Sequence, residues 1–521
     1  MKFCYILMTD IQSNNKRIAR NTLLLYVRML LTMAVSLYTS RVILNTLGVE
    51  DYGVYNVTGG VITMFAFLNT SMSSSTQRYI TFALGRGDKK RLNVVFNTSI
   101  QIHILISILV FVLGETIGLW FVLNKLVIPE GREVAAMWVY QCSILSSIVG
   151  IMSVPYNADI IANERMSAFA YISILDVILK LIIVFILVVT PVDKLIFYSI
   201  LVVCVQIFIR YVYAKYCSIH FEEVKILKMI DKRLLKEMST FAGWSFFGNF
   251  ACVLYGQGVN ILLNVFFGPV TNAARGIAVQ VQGAVQQFAG NFQMAINPQI
   301  TKSYASGNIQ QMHNLMFRSS RFSFYLLYFF ILPVLLETSY VLTLWLKIVP
   351  DNTVIFTRIM LLIVLLNPFS SPLTIANQAT GRIKLYQIIV GITLMSILPI
   401  SYIVLKLGAP SYSVFIVHFV IELIAVFLRV IMLKKLISLS IIEYVKSVYG
   451  YVVIVLCLSP ILPYFVRTFI SEGFQRLVIV SFTSAISVML IGYIFGLTKG
   501  ERFMINSKIS SIIMRIKNDS N

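Results

Sequence analysis

"RGIAVQVQGAVQQFAGNFQMAINPQ" runs from Arg275 to Gln299 and carries an arginine, six glutamines and two asparagines. The surrounding chain is 58% hydrophobic, with a mean hydropathy of +0.82. The stretch is long enough to cross about 30 Å of hydrocarbon at roughly 1.5 Å per residue. Its polar groups decide what kind of helix it is. Placed at about 100° per residue with Asn272 as zero, Arg275, Gln282, Gln286, Gln293 and Asn297 fall at roughly 280–340°. Gln280, Gln287 and Asn291 fall between about 60° and 100° on the same wheel. The opposite arc holds Ala274, Ile277, Val281, Ala284, Val285, Phe288, Phe292, Ala295 and Ile296. One half of the helix suits lipid or packed helices, and the other suits water. Two readings follow: interhelical hydrogen bonds, or the wall of a hydrated cavity. Eight amides and an arginine along one span favour the cavity, because such bonds average only about 0.6 kcal/mol each.

The rest of the chain sets the class. Only 12% of residues are charged, and apolar runs of 18 or more recur throughout. A soluble globular composition differs from this. Ten-residue alternation of the outer-membrane barrel kind is missing. The chain reads as all-α, a polytopic membrane protein of about fourteen spans. They lie near 21–46, 54–84, 94–122, 134–158, 168–190, 195–215, 240–266, 270–302, 319–346, 353–378, 384–406, 411–433, 445–467 and 474–497. The longest connection, 217–239, holds "EEVKILKMIDKRLLKEMS" and reads as a basic amphipathic helix at the membrane surface or as a charged linker.

The net charge of +21 suits loop charges that set topology better than it suits nucleic acid. With the N-terminus inside, inner segments carry 29 Lys and Arg and outer loops 7. Both termini are therefore expected on the cytoplasmic side. The basic N-terminus precedes an apolar run too long for a cleavable signal, and Met8 is an alternative start. Six scattered cysteines have neither paired nor metal spacing and are predicted free thiols. The four histidines form no metal cluster.

A repeat appears at an offset of 220 residues. "GVEDYGVYNVTGGV" (48–61) aligns with "GPVTNAARGIAVQV" (268–281), and 77–99 aligns with 297–319. Gly48/Gly268, Val61/Val281, Ile80/Ile300, Thr81/Thr301, Gly87/Gly307 and Ser99/Ser319 are identical. Six spans separate the copies, which predicts two parallel six-helix lobes. Residues 1–216 form the first lobe and 240–437 the second. Residues 438–497 add two C-terminal spans, and 498–521 form a cytoplasmic tail.

Charges inside spans are costly and mark candidate sites. Arg28 and Arg78 lie at similar depth toward one side, and Arg41 and Arg275 toward the other. They either snorkel or form two cationic stations for an anionic cargo. Asp176 and Lys180, at i and i+4 within span five, are either a structural pair or a coupling site. Glu115, His103, Glu422 and His418 are weaker coupling candidates. There is neither a Walker loop nor a nucleophile–base arrangement, so no catalytic residue is named.

Two segments carry a resemblance. "SRVILNTLGVEDYGVYNVTGGVITMFAFLNTSMSSSTQRYITFALGRGD" (40–88) and "NAARGIAVQVQGAV…NPQITKSYASGN" (272–308) resemble the polysaccharide-transporter, or Wzx-like O-antigen flippase, branch of the multidrug/oligosaccharidyl-lipid/polysaccharide exporter (MOP) superfamily. The resemblance implies a MATE-like fold in the bacterial inner membrane, with two lobes about a central cavity and alternating access. It implies an undecaprenyl-diphosphate-linked oligosaccharide as cargo (O-antigen, capsule or exopolysaccharide), flipped from the inner to the outer leaflet, with polysaccharide-assembly proteins as partners. It places Arg28, Arg78 and Arg275 on the helices that hold diphosphate or acidic sugar. No cofactor is expected beyond H+ or Na+ coupling. A small-molecule exporter of the same fold is the rival, and a membrane glycosyltransferase or polymerase is a more distant one.

Overall fold

The computed structural model describes residues 21–36, 66–125, 128–225, 231–346, 349–503 and 506–507, with isolated positions between 38 and 58. Among these residues the chain is almost wholly helical. Eleven helices are long and apolar enough to cross a membrane: α3 (Lys89–Asn124), α4 (Glu133–Ala162), α5 (Met166–Val189), α6 (Lys194–His220), α7 (Lys232–Phe267), α9 (Ile309–Leu336), α11 (Thr353–Thr380), α12 (Lys384–Lys406), α13 (Ser413–Ile437), α14 (Ile441–Phe469) and α15 (Phe474–Gly496). A short helix, α10 (Thr338–Leu346), follows α9. The three other expected spans are α1 (Asn21–Ser36), α2 (Ala66–Arg86) and α8 (Pro269–Ala305), and they fall outside that set. The described part of α1 is short. α2 and α8 are instead rich in Ser, Thr, Asn and Gln. The structure thus supports eleven spans by length and hydropathy and leaves the expected count of fourteen open.

The chain forms two compact units that interleave in sequence. One gathers residues up to Phe250 with Met294–Asn308 and Gly381–Ile388; the other gathers Ala251–Gln293, Ile309–Thr380 and the chain from Ile389. In the first, α4 packs along α6 and also against α2 and α3. Its core is Ile80, Phe96, Ile160, Cys217 and Met238. In the second, α9 packs on α15 and α11, and α13 packs on α11 and α12. Phe356, Leu361, Val364, Leu373, Val426 and Leu433 are buried there. Large apolar side chains such as Leu105, Ile108, Phe111, Phe185, Phe465 and Phe482 stay exposed. On helices of this length and hydropathy, that surface faces acyl chains.

The repeat shows in two turns. After α2, the Gly87 N–H donates to Leu84 O at 3.1 Å and the Asp88 N–H to Ala83 O at 3.3 Å. After α8, the Gly307 N–H donates to Tyr304 O at 3.0 Å and the Asn308 N–H to Ser303 O at 2.9 Å. Each partner is displaced by the same 220 residues. Gly87 and Gly307 have φ of 70° and 79°. This is the left-handed helix cap that a residue without a Cβ closes at low cost.

Helix interruptions are satisfied by neighbours. α3 carries a π-helical turn at Gly114–Gly118, and the Tyr140 hydroxyl donates to Gly114 O at 2.6 Å. α15 carries another at Gly492–Gly496, where the Tyr325 hydroxyl donates to Gly496 O at 2.9 Å. Such side-chain repair is what allows irregular backbone at membrane depth. The five described cysteines, Cys142, Cys204, Cys217, Cys252 and Cys457, are free thiols.

Candidate functional site

α8 sorts most of its surface as the wheel of Arg275–Gln299 predicts, except that Asn291 on the polar half is buried and Ala284 on the apolar arc is exposed. Ala274, Ala278, Val285, Ala289, Ala295 and Ile296 are buried. Gly276, Val279, Gln280, Gly283, Ala284, Gln286, Gln287 and Gly290 are exposed. The exposed set lies on the amide side of the helix, with Ala284 at its edge. Gly276, Gly283 and Gly290 recur every seventh residue, and a Cβ on any of them would meet nothing within 4 Å. The open face is therefore bare backbone bordered by amides. No carboxylate lies on it.

The named amides differ in setting. Asn272, Gln282, Gln293 and Asn297 are half-buried, and Gln286 is exposed. Asn272 Oδ1, Gln293 Nε2 and Asn297 Oδ1 are buried atoms without a hydrogen-bond partner among the described residues. Desolvated amide atoms of this kind cost about 1–3 kcal/mol each when left unmade. Asn272, Gln282, Gln286 and Gln293 belong to the second unit and Asn297 to the first.

Arg275 is held by neutral oxygens. Its Nη2 donates to Gly256 O at 2.8 Å and its Nη1 to Asn260 Oδ1 at 3.3 Å, both on α7. Its Nε is buried without a hydrogen bond. No carboxylate pairs with it among the described residues.

Arg28 and Arg78 sit in the first unit. Arg28 Nη1 lies 3.4 Å from Ser173 Oγ, and its guanidinium lies over the Phe169 ring at 4.8 Å. Arg78 is only 9% exposed. Its guanidinium is 4.4 Å from the Tyr79 ring, 4.9 Å from Phe82 and 5.5 Å from Phe241. The Tyr79 hydroxyl in turn donates to Glu237 Oε1 at 3.0 Å. A Cβ on Gly381 would lie 2.6 Å from Arg78 Nη2, so that glycine makes room for the guanidinium. Arg78 is thus packed among rings, whereas Arg28 is half-buried. Arg41 lies outside the described residues.

The pair on α5 forms as its spacing predicts. Lys180 Nζ lies 2.8 Å from Asp176 Oδ2.

Two polar constellations drew little or no sequence signal. Glu164, in the turn between α4 and α5, has a side chain 1% exposed and accepts from Lys302 Nζ at 2.6 Å and Gln299 Nε2 at 2.5 Å. On α13, Glu422 Oε1 accepts from Arg429 Nη1 at 3.0 Å and from the Ser370 hydroxyl at 3.1 Å. The partners of Glu164 lie 135 and 138 residues away and Ser370 lies 52 from Glu422, so the only local spacing to read is the seven residues between Glu422 and Arg429.

Comparison with known proteins places this arrangement. The bent conformation of a MATE transporter superposes with a TM-score of 0.71 at 14% identity, covering 82% of this chain and 96% of that one. The chain has the MATE transporter fold. An outward-facing multidrug-resistance MATE transporter of the MOP superfamily gives 0.68 at 15% identity over the same shares. A MOP superfamily transporter from Pyrococcus furiosus, whose pocket is described as reversed in polarity and suggesting a different function, gives 0.67 at 14%. No family model matches. In sequence, the chain is 22% identical over 292 residues to the uncharacterized membrane protein EpsK of Bacillus subtilis (strain 168). That match spans about half of each protein, 55% of this chain and 56% of EpsK. The fold is that of membrane transporters.

Proposed function

We propose that this protein is a flippase that carries an undecaprenyl-diphosphate-linked oligosaccharide from the inner to the outer leaflet of a bacterial inner membrane by alternating access. The observation that carries the reading is the open face of α8. Three glycines at seven-residue spacing expose backbone, Gln280, Gln286 and Gln287 border them, and Arg275 stands at one end with neutral partners. Amides and bare backbone replace water on sugar hydroxyls. A guanidinium without a carboxylate offers a paired fork to a diphosphate, whose charge is prohibitive to bury alone. Arg28 is a second cationic station. Arg78 serves by holding its neighbours, since rings enclose it.

The rival from the same fold is a small-molecule exporter. Organic cations favour a carboxylate in the binding face, and α8 presents none. The test is deletion of the gene followed by complementation. Lipid-linked repeat units accumulate on the cytoplasmic leaflet in the deletion strain and clear when the gene returns. Unchanged surface glycan together with altered resistance to organic cations would reverse the order of the two readings.

A further inference from the structure

The first unit holds a charged cavity that the cargo does not use. Its volume is about 360 Å³, and it is lined by Arg91 and Val94 of α3 and by Asp231, Arg233, Leu234 and Glu237 at the start of α7. Both helices have 36 residues. At roughly 1.5 Å per residue each is about 54 Å long. A bilayer with its headgroups is about 40–45 Å thick, so the first turns of these helices stand at the headgroup surface. Arg91 and Arg233 are in those first turns. Val94 lies one helical turn deeper than Arg91, and Leu234 is buried. The lining thus grades from charge to apolar wall, as a phospholipid does from headgroup to glycerol ester.

The charged groups come in two kinds. Asp88 Oδ1 accepts from the Arg91 N–H at 3.0 Å, and Asp231 Oδ1 accepts from the Leu234 N–H at 2.9 Å. Both helix starts are therefore capped from within the chain, and the cavity offers side chains rather than open backbone. Glu237 Oε1 accepts from the Tyr79 hydroxyl at 3.0 Å. The second carboxylate oxygen of Asp231 and of Glu237 takes no part in these bonds. Among the described residues, no carboxylate pairs with the guanidinium of Arg91 or of Arg233. Two guanidiniums and two carboxylates thus line one open volume.

We propose that this cavity binds the headgroup of a zwitterionic phospholipid, one that joins a phosphate to a primary ammonium. Arg91 and Arg233 hold the phosphate, because a guanidinium fork meets phosphate oxygens with paired N–H bonds. Asp231 and Glu237 accept from the ammonium, which carries three donors. The balance of charge selects this headgroup. Basic pockets between spans bind anionic headgroups. Here an anionic headgroup would gain two guanidiniums but set its own charge beside two carboxylates. A choline headgroup carries the phosphate but has no N–H to give. The position selects the source, since the cavity opens where lipid headgroups are concentrated. A lipid seated there would tie the start of α3 to the start of α7. None of this depends on the flippase reading, because the same headgroup would bind whatever the cargo.

The full-length protein, stripped of lipid in detergent, is titrated with phosphatidylethanolamine, phosphatidylcholine and phosphatidylglycerol of identical acyl chains. Retained lipid is counted by native mass spectrometry. The expected result is one phosphatidylethanolamine held about tenfold more tightly than either of the others. R91Q/R233Q loses that tight lipid and binds all three equally weakly. D231N/E237Q still binds but no longer prefers phosphatidylethanolamine to phosphatidylglycerol. Asparagine still caps α7 and glutamine still accepts from Tyr79, so the second pair keeps the fold and the test survives if the first pair does not. Soluble glycerophosphoethanolamine, the same headgroup without chains, competes only weakly. Equal retention of the three lipids by the wild type overturns the proposal, as does a tight lipid that persists in R91Q/R233Q. Preference for phosphatidylglycerol refutes the role of the carboxylates. Displacement by the soluble headgroup as readily as by the lipid assigns the cavity to a free phosphoethanolamine and overturns the lipid as occupant.

Discussion

Lys302 Nζ lies 2.6 Å from Glu164 Oε1, and the carboxylate it meets is 1% exposed while the ammonium side chain is 24% exposed. Gln299 reaches the second carboxylate oxygen at 2.5 Å, and Asn21 Nδ2 donates to the Glu164 backbone carbonyl at 3.2 Å. Glu164 itself sits in the left-handed region at φ 59°. One residue thus ties α1, the α4–α5 turn and the end of α8 together. Removing only the cation strands a buried carboxylate, which costs about 3 kcal/mol, the low end for a buried pair because Lys302 is partly solvated. K302A is therefore expected to lower the unfolding temperature in detergent clearly. The double variant E164Q/K302A recovers most of the loss, because it removes the stranded charge. Equal melting of K302A and the double variant would show that the two residues are not coupled.

Close approach of α2 and α8 rests on Gly85. A Cβ there would lie 2.7 Å from Ala305 Cβ and 2.9 Å from both Lys302 Cα and Lys302 O. None of these atoms moves without its backbone. G85A is expected to cost about 1–3 kcal/mol, the usual result of overpacking. Gly248 is the contrast, because its Cβ would meet the amide end of Gln387, a flexible side chain. G248A should be near neutral, since the helix-propensity gain of about 1 kcal/mol offsets the displaced amide. Chemical unfolding of both variants ranks them. A G248A loss as large as that of G85A would refute the distinction.

Arg132 joins two acids in the first unit, with Nη1 2.6 Å from Asp193 Oδ2 and Nη2 2.5 Å from Asp51 Oδ2. Burial pushes the Asp193 carboxyl up, but the Ile196 N–H, the Arg132 guanidinium and the Leu195 N–H outweigh it and hold the carboxyl below its usual range. A carboxyl depressed on folding adds stability that is present above its ordinary value near 3.8 and is lost as pH falls through the depressed one. The protein should therefore lose stability on acidification below about pH 4, in part through Asp193. D193N keeps a good helix cap for α6 but has no proton to gain. Its unfolding temperature should be lower at neutral pH and flatter toward pH 3. An acid limb as steep as wild type would exclude Asp193 as a contributor.

Much of the architecture can be read in the residues, because membrane helices announce themselves by length and hydropathy. The eleven apolar helices fall where eleven runs were expected. The turns at Gly87 and Gly307 follow the 220-residue repeat, because their geometry needs a left-handed residue at one position. The wheel of α8 predicts its exposed face for the same reason: periodicity is a local property. The site is less legible. Arg78 reads as a charge in a span, yet Tyr79, Phe82, Phe241 and Gly381 enclose it, and Phe241 and Gly381 lie far along the chain. Glu164 reads as a loop acid, because Gln299 and Lys302 follow it by more than 130 residues. Pairings made in three dimensions leave no period to find.

The open glycines of α8 separate a cargo wall from a packing surface. A side chain at Gly283 or Gly290 would meet nothing within 4 Å of its Cβ, so G283L and G290L should fold as well as wild type. Replacing a helical glycine by a better helix former even adds about 0.5–1 kcal/mol. A wall that touches glycan would behave differently, because each leucine covers the open face with apolar bulk and blocks the backbone that a sugar would contact. Both variants are expected to slow flipping at least tenfold, while their unfolding temperatures hold or rise. Gly150 on α4 is the control, since a Cβ there is equally unopposed and lies on another helix. G150L should leave flipping unchanged. Vesicles carrying each variant at matched protein density, scored by the rate at which labelled glycan lipid reaches the outer leaflet, give the comparison. Full activity in both G283L and G290L would remove α8 from the cargo path and leave its amides as helix-to-helix contacts.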